Sequence, residues 1–77
     1  MARTILDRSL QRWEAYASTG AFGMPGRAHI VFRCASDAGQ RPRAFPFQGD
    51  KSDAERVVLE ATGASLVAML EEAEPIR

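Results

Sequence analysis

The sequence predicts a small α+β domain in which an antiparallel β-hairpin packs against three helices, in the order α-β-β-α-α. Residues 27–35 alternate apolar and polar side chains, as a half-buried strand does. Residues 4–17 and 53–73 instead repeat apolar residues every three or four positions, which is typical of amphipathic helices. A chain of 77 residues has room for one hydrophobic core, so residues 1–77 are expected to form a single domain.

The first helix is expected over about residues 4–17. Thr4 is a suitable N-cap, and Asp7 stands three positions later, where a carboxylate completes a capping box. The apolar face is formed by residues at spacings of four, three and four: Leu6, Leu10, Trp13 and Ala17.

A glycine-rich segment, GAFGMPG at residues 20–26, follows this helix. It lacks the lysine and hydroxyl residue of a phosphate-binding loop, and a strand rather than a helix follows it. We therefore expect Phe22 and Met24 to cover the core beside the hairpin.

The hairpin is expected to pair residues 27–35 with residues 40–47. A turn of four residues, 36–39, with Gly39 at positive φ, sets Ile30 opposite Phe45. A turn shorter by one residue would move the phenylalanines Phe45 and Phe47 to the other face of the sheet. They are predicted to face the core.

Two prolines restrict the second strand of the hairpin. Pro42 and Pro46 lie four positions apart, so both lack an N–H on the side that faces away from residues 27–35. This pattern predicts a blocked outer edge at residues 40–47. The sheet is expected to grow only on the side of residues 27–35.

Two more helices are expected at about residues 53–61 and 63–73. Ser52 and Glu55 have the spacing of a capping box for the first of them. The apolar face changes direction at residues 62 and 63, so Thr62 is expected to cap a second helix, which Pro75 ends.

No catalytic pattern is found in the sequence. The only cysteine, Cys34, and the only histidine, His29, are five positions apart on one predicted strand and would lie on opposite faces. Cys34 is expected to be a buried apolar residue and His29 a half-exposed one. We therefore predict a protein that is not an enzyme and has no cofactor, no metal ion and no small-molecule ligand.

Protein binding is the predicted function, with a homodimer as its simplest form. Consecutive apolar residues on the last two helices cannot all face one core, which predicts an exposed apolar patch. The candidate interface residues are Val57, Leu59 and Val67. The unblocked edge of strand 27–35 is a second candidate interface.

Nucleic-acid binding is the alternative prediction. Residues 1–47 carry seven arginines against three acidic residues, a balance of +4, and residues 48–77 carry three basic residues against seven acidic ones, a balance of −4. Two explanations of this asymmetry are open. The two halves neutralise each other on folding, or the basic half contacts phosphates. The candidate contacts are Arg27, Arg33, Arg41 and Arg43.

A cytoplasmic location is expected, in a bacterial or phage protein. A single cysteine cannot form an internal disulfide, and no apolar run reaches the roughly 20 residues of a membrane span. No motif in the chain identifies a family.

Overall fold

A computed structural model describes residues 2–19 and 27–76, which form an α+β domain. The described residues contain a five-stranded antiparallel sheet in the order β1-β2-β3-β4-β5 and two helices. The strands and helices follow the chain as β1 (Arg3–Leu6), β2 (Arg12–Thr19), β3 (Ala28–Cys34), β4 (Arg43–Pro46), α1 (Lys51–Glu60), α2 (Gly63–Glu72) and β5 (Glu74–Pro75). The α+β class is confirmed, but the order α-β-β-α-α and the count of three helices are wrong. The expected covering role of Phe22 and Met24 lies outside the described residues.

The predicted helix at residues 4–17 is instead the hairpin of β1 and β2. Trp13 and Ala15 are buried while Arg12 and Glu14 are not, which is the alternation of a strand. Leu6 and Leu10, which completed the apparent helical stripe, are exposed. Tertiary pairing with β3 over the whole of β2 outweighs the local helical periodicity.

Asp7 forms the turn that joins β1 to β2. Its Oδ1 atom accepts hydrogen bonds from the backbone N–H groups of Ser9 and Gln11, at 2.8 and 2.9 Å. Its Oδ2 atom accepts a hydrogen bond from the Trp13 indole N–H at 2.9 Å. The carboxylate oxygens of an aspartate can accept hydrogen bonds either at the start of a helix or within a turn. Here the hydrogen bond from the Trp13 indole stabilises Asp7 within the turn.

The hairpin of β3 and β4 has the predicted register, with Ile30 opposite Phe45. Asp37 closes the turn, because its side chain accepts a hydrogen bond from the Gly39 N–H and its carbonyl accepts one from the Gln40 N–H. Gly39 does not have positive φ, so that part of the prediction is wrong. A side-chain acceptor stabilises this turn without a left-handed residue.

The sheet grows on the β3 side, as the prolines predict, because β2 pairs along β3. The prediction that the outer edge of residues 40–47 is blocked is wrong, because β5 pairs with β4 there. Pro42 and Pro46 leave Ala44 as the residue of β4 with an N–H on that side, and Ala44 pairs with Glu74 of β5. The Ile76 N–H donates to the Pro42 carbonyl at 2.7 Å. β5 has two residues, Glu74 and Pro75.

The two helices begin close to the predicted positions. The N-cap of α1 is Asp50, which forms a capping box with Asp53, so the box predicted for Ser52 and Glu55 is wrong by two residues. Thr62 caps α2 as predicted, through a hydrogen bond from the Ser65 N–H to its hydroxyl.

Both helices cover one side of the sheet, which we call the helix face. Its strand residues alternate along the chain and form one cluster with four helix residues: Ala54, Val58, Leu66 and Leu70. Trp13 and Phe32 are the largest side chains of this core. Phe45 and Phe47 pack against it from its margin and are half-buried.

Arginines of the sheet satisfy the carbonyls at the ends of both helices. The Arg3 guanidinium donates to the Val58 and Ala61 carbonyls near the end of α1. The Arg43 guanidinium donates to the Leu70 carbonyl of α2 at 3.3 Å and lies 5.2 Å from the centre of the Trp13 ring. Neither helix has a basic residue in its last turn, so the sheet supplies the positive charge that the helix dipole favours there.

We expect Arg3→Met to lower the free energy of unfolding by about 1.5–3 kcal/mol, the usual range for hydrogen bonds from a charged group. Urea unfolding measures this change. Arg41→Met is the matched control, because Arg41 is exposed and its loss should cost no more than about 0.5 kcal/mol. Equal losses in the two variants would contradict a role for Arg3 in holding α1.

The Asp7 turn should make stability depend on acid pH. The hydrogen bond from Trp13, followed by that from the Gln11 backbone, lowers the pKa of Asp7 below its ordinary value. A carboxylate with a lowered folded-state pKa stabilises the fold above its unfolded pKa of about 3.9, and this contribution disappears as the pH falls through the folded value. Urea unfolding of the wild type and of Asp7→Asn should therefore differ near neutral pH. The difference should narrow below pH of about 4, and a constant difference would contradict the assignment.

Candidate protein-binding edge

The outer edge of β1 is unpaired among the described residues, since β1 has β2 as its one neighbour. The Asp7 N–H donates to the Gln11 carbonyl at 3.0 Å, which continues the register of the two strands. Because backbone groups alternate in direction along an antiparallel strand, Arg3 and Ile5 bond to β2. The N–H and C=O groups of Thr4 and Leu6 therefore point outward.

A groove of about 800 Å³ runs beside this edge, between β1 and α2, and we call it the β1 groove. Ala64, Val67 and Ala68 line its helix wall, and residues of β1 line its strand wall. These apolar residues lie next to the outward backbone groups. The groove therefore combines a hydrogen-bonding edge with an apolar wall.

Charged side chains surround the β1 groove. Three arginines line it, against one acidic residue. The ion pair between Arg8 and Glu71, at 2.9 Å, joins the β1–β2 turn to α2. Arg3 donates to the end of α1, and Arg12 is exposed at the start of β2.

Two leucines of the β1–β2 hairpin are exposed. Leu6 is 54% exposed and Leu10 is 78% exposed. Leu10 also has φ of 64°, a left-handed conformation that an L-residue adopts at a cost. The hydrogen bonds of Asp7 around it hold the turn in this form. The leucine at the tip is therefore presented to solvent by a fixed backbone.

The structure separates the three predicted interface residues. Val67 lines the β1 groove, whereas Val57 and Leu59 belong to α1 and do not line it. Val57 and Val67 are half-buried against the core, and Leu59 is 51% exposed. Leu59 is thus the most exposed of the three.

The prediction that strand 27–35 offers an open edge is wrong. β2 pairs along one side of β3 and β4 pairs along the other. The open edge is that of β1, which the sequence reasoning missed because it assigned these residues to a helix. The alternation of Trp13, Ala15 and Ala17 with polar neighbours is the signal that could have revealed the hairpin.

The four arginines predicted as nucleic-acid contacts do not share one surface. Arg43 lies on the helix face, where it is the cross-strand partner of Phe32 and contacts the Trp13 ring. Arg33 follows Phe32 along β3 and so lies on the opposite face, where Glu14 accepts its hydrogen bond at 2.7 Å and raises its pKa. Arg27 and Arg41 are exposed.

Cys34 and His29 lie on opposite faces of β3, since Cys34 pairs with Trp13 and His29 with Ser18. Cys34 is buried, as predicted, and has a free thiol. The prediction that His29 is half-exposed is wrong, because it is 3% exposed and its Nδ1 atom lies 3.3 Å from the Arg27 carbonyl. Within residues 2–19 and 27–76, no three histidine, cysteine or acidic side chains group as metal ligands do.

Comparisons of the chain with protein-family models, curated proteins and solved structures find no match. In the described part of the chain, neither helix has the length and apolar character needed to cross a membrane.

Proposed function

We propose that this chain is a non-enzymatic, cytoplasmic protein-binding domain that receives an extended strand of a partner along β1. The observation that carries the proposal is the open edge of β1 beside the apolar wall of α2. Strand addition at a sheet edge is a general mode of peptide recognition, in which backbone hydrogen bonds supply affinity and neighbouring pockets supply specificity. The separation of Cys34 and His29 on opposite faces supports binding rather than nucleophilic catalysis.

The backbone of β1 can bond an added strand at two positions. Thr4 and Leu6 each direct one donor and one acceptor outward, so a partner strand can form up to four hydrogen bonds with them. Each such bond contributes about 0.5–1.5 kcal/mol net. Backbone bonds alone give modest affinity, and side-chain burial must supply the remainder.

The groove provides that burial. Side chains of an added strand that point to the helix face would meet Val67 and Ala68 on α2, and those that point to the opposite face would cover the half-exposed Leu6. Burial of apolar surface contributes about 25 cal/mol per Å². Natural proteins commonly protect an open edge with proline or lysine, and β1 has neither, whereas β5 at the other edge contains Pro75. This contrast favours β1 as the edge used for binding.

The strand-addition proposal is tested with a phage-displayed library of extended peptides selected on the wild-type protein. Peptides that bind should lose affinity for Thr4→Pro, because proline removes the outward N–H while remaining compatible with an edge strand. Thr4→Val is the matched control that keeps the N–H and should retain binding. Circular dichroism and thermal unfolding verify that both variants fold. Failure to select any peptide, or equal binding to Thr4→Pro, would overturn the proposal.

A homodimer remains a prediction, with Leu59 on α1 as its most exposed candidate contact. Light scattering after gel filtration at micromolar concentration should then give a mass of about twice the 8.4 kDa of the chain. Leu59→Lys should shift the mass toward the monomer, since a charge in an apolar contact is unfavourable. Glu60→Lys, a change at the neighbouring exposed position, is the control. A monomeric wild type would contradict the prediction.

A further inference from the structure

We propose that the strand received at β1 is an acidic segment of a separate protein, with apolar and acidic residues in alternation. This inference rests on the strand addition proposed above and specifies its partner. The charge of the β1 groove is its first support, because three arginines and one glutamate line the groove and leave an excess of two positive charges. Complementary charge steers association and selects partners.

Contacts within the chain compensate part of the positive charge and leave Arg12 without a carboxylate partner in the described residues. Glu71 neutralises Arg8 through their ion pair. Arg3 donates to backbone carbonyls at the end of α1, where its charge complements the helix dipole. Arg12 is exposed and has no ion pair with a carboxylate of the described residues. Arg12 is therefore the charge that an acidic strand would meet.

A second copy of this chain is a poorer occupant of the groove. A twofold contact between two β1 edges would bring the same groove of each copy together, with an excess of two positive charges on both sides. Like charges placed opposite each other across an interface cost free energy. A separate acidic strand would instead meet opposite charge.

The alternation follows from strand geometry. Successive side chains of an added strand point to opposite faces of the sheet. On the helix face they would meet Val67 and Ala68, which favour apolar partners. The side chains that point to the opposite face would lie on the same face as Leu6 and Arg12. These two residues are paired across β1 and β2. An acidic residue on that side would lie on the same face as Arg12, which is exposed and lines the groove.

The probe for this inference is a fluorescein-labelled peptide of alternating glutamate and valine, about seven residues long, a typical strand length. Fluorescence anisotropy should show that it binds at least about tenfold more tightly than the peptide in which lysine replaces glutamate. Its affinity should fall as salt is raised, because the arginines are solvent-accessible. Equal affinity of the two peptides would overturn the inference.

Variants of the protein identify the charge that is responsible. Arg12→Glu should weaken the glutamate peptide by about tenfold and strengthen the lysine peptide. Arg12→Gln should have a smaller effect in the same direction. Arg41→Glu is the matched control, since Arg41 is an exposed arginine that does not line the groove, and its change should leave both affinities within about twofold. The same loss in Arg41→Glu as in Arg12→Glu would overturn the assignment.

The outcomes separate the partner class from the binding mode. If the glutamate peptide does not bind while library peptides still depend on the Thr4 N–H, the acidic partner is wrong and strand addition stands. If no selected peptide depends on that N–H, strand addition itself is wrong. A single-stranded oligonucleotide is the competitor in each titration. Tighter binding of the oligonucleotide than of the glutamate peptide would overturn the inference in favour of phosphate contacts by the same arginines.

Discussion

The carboxylate of Asp7 is the interaction on which the architecture depends most. It joins the backbone of the β1–β2 turn to the indole of Trp13, the largest residue of the core. By fixing the turn it brings Ile5 opposite Trp13 and makes β1 the last strand on its side of the described sheet. The open edge and the groove beside it both follow from that placement, so one turn links core packing to the surface proposed for binding.

The arginines show how the uneven charge of the sequence is used. Seven of the nine arginines lie in residues 1–47, and seven of the ten acidic residues lie in residues 48–77, the part that contains both helices. The ion pair of Arg8 with Glu71 connects the two halves directly. Arg3 and Arg43 connect them differently, through hydrogen bonds to helix carbonyls. Arg3, Arg8 and Arg43 thus attach the helices to the sheet. Arg12, which lines the groove, makes no such contact with a helix of the described residues.

Sequence patterns succeeded where one local signal was enough. The alternation of β3, the Thr62 cap of α2 and the pairing of Ile30 with Phe45 each depend on a few neighbouring residues and were predicted. The sequence predicts the candidate site only in part: Val67 lies in the β1 groove, but the apolar spacing of residues 4–17 wrongly predicts a helix where β1 lies. Leu6 and Leu10 match a helical stripe by spacing, and spacing does not tell an exposed leucine from a buried one.

The sequence by itself determined an α+β domain, the register of the β3–β4 hairpin and the boundary between α1 and α2. Alternation and capping are local properties, so they can be read from the chain. Only the tertiary structure decided that residues 3–19 contain two strands, since this depends on the pairing of β2 along β3 and on the bond between Asp7 and the Trp13 indole. Tertiary structure also decided where the open edge lies. An edge is defined by the absence of a neighbouring strand, and that is a property of the whole sheet rather than of any segment.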